Sequence, residues 1–326
     1  MLLDPARSRP WVLLSLVLSL AGCSQAPVQP SSPAMSFPAA AAAPALRLAS
    51  EPLAVQTRDV DYLQVDGKTF QATIYQPEGT GPFPAILDVH GGNWVREDVR
   101  RDEHALMNKA LAAMGIVVVA VDFRQSPQHH YPDSVADVHF ALRWLRANAS
   151  SFNASPHAVG VFGSSSGGHL VLLSSMRSSD PHYAALPLPG MSPDSATPDY
   201  IILAYPMSDP LGRRAYNQQA GNNAVLKGFD IYFSPPGSLQ EGNPQLILER
   251  REPVNVPPVL LLQGTADGNG PEMQQRFAAA YQAAGGKLQL ELLPGAPHNF
   301  VNTAGANLDR ALALVKAFIG QRLAGQ

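Results

Sequence analysis

The 326 residues include a single cysteine, Cys23, which excludes a disulfide framework and any cysteine-rich metal site. Charged residues make up only 15% of the chain, the formal net charge is −3, and no Lys/Arg run occurs. Without a basic face the chain has no means of neutralising phosphates, so nucleic acid is not an expected partner. Gly (26) and Pro (30) are plentiful but follow no Gly-X-Y period, which excludes collagen. No H-E-x-x-H or Cys/His ligand spacing is present, so His104 and the pair His129-His130 read as solvated helix and loop histidines, and no metal is expected. No G-x-x-x-x-G-K-S/T or G-x-G-x-x-G follows a strand pattern, so no nucleotide cofactor is expected either. There is no internal repeat. What remains is a chain that is 45% hydrophobic, long enough to bury a substantial core in one large α/β domain or two small ones.

The first 23 residues read as an export signal. Arg7 and Arg9 form a basic n-region, and Trp11 to Leu20 form an apolar run too short to span a bilayer as a mature helix. The run ends in Leu20-Ala21-Gly22-Cys23, which resembles the lipobox of bacterial lipoproteins and implies cleavage before Cys23 and lipidation of its thiol. Two or more acyl chains, at ~0.8 kcal/mol per buried methylene, would hold such a protein on a membrane. The expected location is therefore the bacterial cell envelope. Residues 24–50 are Ala, Pro and Ser with almost no charge, and prolines at 27, 30, 33, 38 and 44 interrupt any helix, so the segment reads as a disordered tether.

Residues 51–326 carry the globular pattern. Asp59 to Gln64 and Thr69 to Gln76 alternate around Asp66-Gly67, a hairpin signal. Six further apolar runs start at Pro84, Ile116, Ala158, Tyr200, Val259 and Leu288. Most are continuous Val/Ile/Leu, as strands covered on both faces require. Amphipathic stretches separate them. In the last of these, Leu308, Leu312, Val315, Ile319 and Leu323 fall on one helical face. The pattern predicts one α/β domain with an eight-stranded, mostly parallel sheet flanked by helices. Two long connections, 177–198 and 206–257, are candidate cap elements.

Chemistry concentrates in Gly163-Ser164-Ser165-Ser166-Gly167, which follows a strand run and opens a helix. That is the setting of a G-x-S-x-G elbow, and the spacing selects Ser165 as nucleophile. A serine hydroxyl needs a base to accept its proton and a carboxylate to orient the base. His298 and Asp267 both fall just past strand runs, in the chain order Ser, Asp, His. In a parallel sheet all carboxyl ends share one edge, so the three can converge. Asp209 is the fallback acid, although its position suits the start of a turn. His90-Gly91-Gly92-Asn93-Trp94 follows the third strand, and the N–H groups of Gly91, Gly92 and Ser166 are the expected oxyanion donors. His90 is expected to brace that loop, and His169 to be packed or hydrogen-bonded. Trp94 and Phe300 adjoin the catalytic loops and are candidate pocket residues or core.

Taken together, HGGNW, VDFRQSP with Tyr131-Pro132 and Asp137, GSSSGGHL, GTAD and GAPHNF resemble the α/β-hydrolase esterases. The nearest groups are the hormone-sensitive-lipase-like and the feruloyl-esterase and dienelactone-hydrolase-like branches. The resemblance spans about residues 55 to 323. It implies the α/β-hydrolase fold, a triad of Ser165, Asp267 and His298, a small-molecule carboxylic ester as substrate, and no cofactor. Asn93 departs from the third glycine of the HGGG pattern, which leaves two glycine donors. The expected activity is that of a serine esterase working through an acyl-enzyme. The rivals are an amidase, formamidase or serine peptidase with the same triad, and a non-catalytic envelope lipoprotein that binds a ligand.

Overall fold

The computed structural model describes residues 46–268 and 270–324. The signal-like segment, Cys23 and residues 24–45 of the tether lie outside the described residues. The elements in order are β1 (Val55–Val65), β2 (Lys68–Pro77), β3 (Phe83–Val89), α1 (Ala105–Ala113), β4 (Val117–Val121), α2 (Asp133–Asn148), β5 (Ala154–Ser164), α3 (Ser165–Met176) and β6 (Tyr200–Ala204). They continue with α4 (Pro210–Gln219), α5 (Asn223–Tyr232), α6 (Ser238–Glu241), α7 (Pro244–Glu249), β7 (Val259–Gly264), α8 (Pro271–Ala283), β8 (Leu288–Leu293) and α9 (Ala306–Ala324). The strands form one eight-stranded sheet in the order β1-β2-β4-β3-β5-β6-β7-β8. The β1–β2 and β2–β4 pairs are antiparallel and the other five are parallel. Asp66 and Gly67, both at positive φ (52° and 72°), turn the first hairpin as a two-residue loop requires.

Every residue of β3, β4, β6 and β7 is buried because helices cover both faces. Alternation divides the strands between two apolar layers. Leu87, Val119, Val161, Leu203 and Leu261 pack with Val135, Leu142, Leu170 and Phe277 of α2, α3 and α8. On the other face, Ile86, Val118, Phe162, Ile202 and Leu260 pack with Met107 and Leu111 of α1 and with Leu308, Val315 and Ile319 of α9. One polar brace stands at the sheet edge. The Arg124 guanidinium forks onto the buried Asp137 carboxylate, with Nη2–Oδ1 at 2.7 Å and Nε–Oδ2 at 3.0 Å.

The two long connections occupy different ends of this sheet. Segment 177–198 links the far end of α3 to the start of β6, so it runs along the amino-terminal edge. There the Leu186 carbonyl accepts from Arg143, those of Ser195 and Thr197 accept from Arg146, and the buried Tyr183 joins the core. The expectation that it is a cap element is therefore corrected, because these bonds hold the segment along α2. Segment 206–257 starts at the rim itself: the Met207 N–H donates to the Ser165 carbonyl at 2.9 Å.

Two histidines are buried in the layer over α2 and α3. His169 accepts from Trp94 Nε1–H through Nδ1 (3.2 Å) and donates to the Gly242 carbonyl through Nε2 (2.7 Å). A second proton would set Nδ1–H against the indole N–H, so this ring is held neutral. Burial pushes its pKa down to about 4, and burial does the same to His139, also to about 4. Both therefore take up a proton more readily when unfolded. Between about pH 6.5 and 4 these two rings bind more protons in the unfolded chain, so their contribution to stability falls on acidification, by on the order of 3 kcal/mol per histidine at the lower end. Guanidinium unfolding at pH 7 and at pH 4.5 should show a clearly lower midpoint at pH 4.5. Equal midpoints would contradict the neutral assignment.

Candidate active site

The site is assembled where the parallel strands end. After Ser164, the last residue of β5, the chain turns at once into α3, and Ser165 takes φ 49°, a left-handed conformation costly for a side-chain-bearing residue. Of the three consecutive serines, Ser164 and Ser166 are buried and only Ser165 is partly open. Its Oγ lies 3.1 Å from His298 Nε2. His298 Nδ1 lies 2.8 Å from Asp267 Oδ2, so Nδ1–H donates to the carboxylate and Nε2 is left to face the hydroxyl. The Asp267 side chain is 1% exposed and the His298 ring 33%. The carboxylate also accepts from Gln263 Nε2 (3.2 Å), and the His298 ring rests on Tyr205 with centroids 4.6 Å apart. Asp209 takes no part. It caps α4, accepting from the Gly212 N–H (3.0 Å), from Asn243 (2.9 Å) and from Arg276 (3.0 Å).

The loop after β3 lies directly over the elbow. A Cβ added to Gly91 would stand 3.2 Å from Ser165 Cβ, so glycine there is a matter of close approach. Its N–H, however, donates to Glu103 Oε2 at 2.7 Å. Gly91 is therefore corrected from oxyanion donor to loop anchor: its proton is already committed to a carboxylate. Gly92, Asn93 and Trp94 follow at positive φ (104°, 53° and 62°). Among the described residues no acceptor meets the N–H of Gly92, Asn93 or Ser166. Asn93 takes the place of a glycine because asparagine tolerates the left-handed region. Its amide donates to the Val225 carbonyl of α5 (3.2 Å), and an added Cβ on Gly228 would sit 1.9 Å from Asn93 Nδ2.

A sequence profile of the family described as alpha/beta hydrolase fold matches residues 86–302. The chain belongs to that family. It is 29% identical over 252 residues to Esterase LipC of Mycobacterium tuberculosis, covering 74% of this chain and 59% of that protein. It is 26% identical over 279 residues to an ethyl acetate hydrolase of Pseudomonas putida, covering 81% and 82%. The chain spans about six-tenths of the length of Esterase LipC and of Esterase LipQ from the same organism. Among solved structures it resembles Thermogutta terrifontis esterase 2 phosphorylated by paraoxon, with a TM-score of 0.62 and 25% identity, over 81% of this chain and 94% of that one.

Both aromatic pocket candidates are core residues. Trp94 is 1% exposed because α5 closes over it: Tyr232 stacks on the indole at 5.0 Å and 4°, and Phe229 and Phe233 meet it edge-on. Phe300 is 3% exposed and meets Tyr205 edge-on at 5.1 Å, behind the ring that carries His298. His90 does brace its loop, stacking on Phe123 at 4.4 Å with Nδ1 3.0 Å from the Gly91 carbonyl. His104 is not solvated. It is wholly buried between Asp88 Oδ1 (2.8 Å) and Ser164 Oγ (2.9 Å). The sequence did carry a signal for it, since Asp88 interrupts the apolar run of β3 and a carboxylate in a fully covered strand must have a partner.

Gly167, on the first turn of α3, is set by the same crowding. An added Cβ would lie 2.2 Å from the His90 carbonyl oxygen and 2.3 Å from that of Val89, backbone atoms that cannot yield cheaply. Gly167→Ala should lower stability by about 1–3 kcal/mol or more. Gly320→Ala, on α9 with nothing within 4 Å, should raise it by up to about 1 kcal/mol. Thermal melts of the two variants check the contrast, and equal effects would contradict the close approach of elbow and β3.

Proposed function

We propose that this hydrolase cleaves carboxylic esters through an acyl-enzyme. Ser165 Oγ attacks the acyl carbon while its proton passes to His298 Nε2. Asp267 holds the Nδ1–H and stabilises the imidazolium that forms. Negative charge collects on the former carbonyl oxygen, and the N–H groups of Gly92, Asn93 and Ser166 are the donors available to receive it. Collapse of the tetrahedral species expels the alkoxide, which takes the proton from His298. Water then repeats the attack on the acyl carbon with His298 again as base, and the acid is released. The observation that carries this reading is the unbroken chain of contacts from Ser165 Oγ through His298 to the buried Asp267, at 3.1 and 2.8 Å. Relatives named as esterases and as an ethyl acetate hydrolase support an ester with a small acyl group as first substrate class.

Hydrolysis of p-nitrophenyl acetate tests it. Ser165→Ala should lose roughly ten-thousandfold or more of kcat, and Asp267→Asn about as much, by favouring the wrong tautomer. Because only neutral imidazole accepts a proton, kcat/KM should climb between about pH 5 and 8. A Ser165→Ala variant as fast as the parent would end the proposal.

We further propose that Cys23 carries the lipid that anchors the chain in the bacterial cell envelope. The support lies in the sequence: basic Arg7 and Arg9, an apolar run, and Leu20-Ala21-Gly22-Cys23. Cys23→Ala should shift the protein from the membrane fraction to the soluble fraction of cells expressing the full chain. An unchanged distribution would exclude the anchor.

A further inference from the structure

Beside the elbow, and outside the triad, lies a second buried polar network. Its centre is the dipeptide Glu103-His104, just ahead of α1. His104 is fully buried, with Nδ1 2.8 Å from Asp88 Oδ1 at the end of β3 and Nε2 2.9 Å from Ser164 Oγ, the residue before the nucleophile. The other Asp88 oxygen accepts from Asn108 Nδ2 of α1 at 2.5 Å, and the edge of Phe162 closes the remaining side with ring centroids 5.0 Å apart. Glu103 reaches the other two loops of the site. Its Oε2 accepts the Gly91 N–H at 2.7 Å, and its Oε1 accepts from Asn302 Nδ2 at 3.1 Å. Asn302 follows His298 by one short turn, and its Oδ1 lies 3.4 Å from the hydroxyl of Tyr205, the ring beneath His298.

We propose that Glu103 and His104 are positioning residues that fix the elbow, the oxyanion loop and the histidine loop relative to one another. The proposal rests on the ester hydrolase reading and adds to it the parts that hold its geometry. The three segments are distant in sequence, and each gives one polar group to this dipeptide: Ser164 Oγ, Gly91 N–H and Asn302 Nδ2. Burial alone would lower the His104 pKa, but the carboxylates of Asp88 and Glu103 outweigh it and raise the pKa, which favours a ring that donates from both nitrogens. Loss of one clamp lets a donor loop or the base drift, and a shift of about 1 Å at such a site costs up to about a hundredfold in rate.

The bond pattern permits a test by exchange of polarity. Glu103 accepts two hydrogen bonds. In Glu103→Gln the side-chain amide can accept only one of them, which leaves its NH2 against the Asn302 NH2. Changing Asn302 to Asp restores an acceptor there and keeps the one that faces Tyr205. The measurements are kcat and KM on p-nitrophenyl acetate, normalised to sites titrated with a fluorophosphonate, together with the thermal midpoint. Glu103→Gln should lower kcat per titrated site about tenfold to a hundredfold with KM changed less than about threefold. Asn302→Asp alone, which sets two carboxylates together, should do the same, and the double variant Glu103→Gln/Asn302→Asp should recover most of the loss. If Glu103→Gln does not fold, the comparison of Asn302→Asp with the double variant decides. Single variants that keep the parental kcat per titrated site, or a folded double variant as slow as the singles, would overturn the proposal. A parent that neither hydrolyses the ester nor reacts with the fluorophosphonate would instead remove the reading on which it rests.

Discussion

Ser165 is held at a positive φ because the chain must leave the end of β5 and enter α3 without an intervening loop. That turn raises the side chain above the rim and drives the surrounding backbone into close contact. Gly91 lies against Ser165 Cβ, and Gly167 lies against the carbonyls that end β3. A strained turn of this kind costs on the order of 1–3 kcal/mol and persists only where its surroundings over-determine it. Here the surroundings are the buried ends of β3 and β5, the first turn of α3 and the loop at Gly91.

Around the turn the polar groups fall into two sets with different exposure. His298 is one-third exposed and stands over a carboxylate that is almost fully buried. That arrangement suits a ring that must exchange protons with substrate while keeping one tautomer. Asp88, His104 and Ser164, all buried, and the partly buried Glu103 form the other set, bonded among themselves and to the loops above. Buried charge is costly unless every partner is supplied, and in this network each loop supplies one. The open set performs the chemistry proposed for the site, while the closed set holds the loops.

Much of the fold was legible because its signals are local. The runs starting at Pro84, Ile116, Ala158, Tyr200, Val259 and Leu288 all lie in or at the edges of strands, and the stripe from Leu308 to Leu323 is buried along α9. Ser165, Asp267 and His298 could be expected on one rim because each follows a strand run and a parallel sheet gives its strand ends a common edge. What the sequence did not reveal depends on distant partners. Trp94 reads equally as a pocket or a core residue until the aromatics of α5, more than 130 positions later, are known to cover it. Gly91 reads as a donor until Glu103 is found on its N–H. His104 reads as a solvated histidine because the four residues before it, Arg100 to Glu103, are all charged, and its polar partners, Asp88 and Ser164, lie on two distant strands. Segment 177–198 reads as a cap because length alone does not say at which end of the sheet a connection lies.

The central claim is that this geometry makes one hydroxyl among three adjacent serines a nucleophile. It is tested most directly by reacting the protein with a fluorophosphonate and mapping the modified peptide by mass spectrometry. The account predicts a single adduct per chain, on Ser165, with Ser164 and Ser166 unmodified. No adduct, or an adduct on either neighbour in place of Ser165, would contradict it.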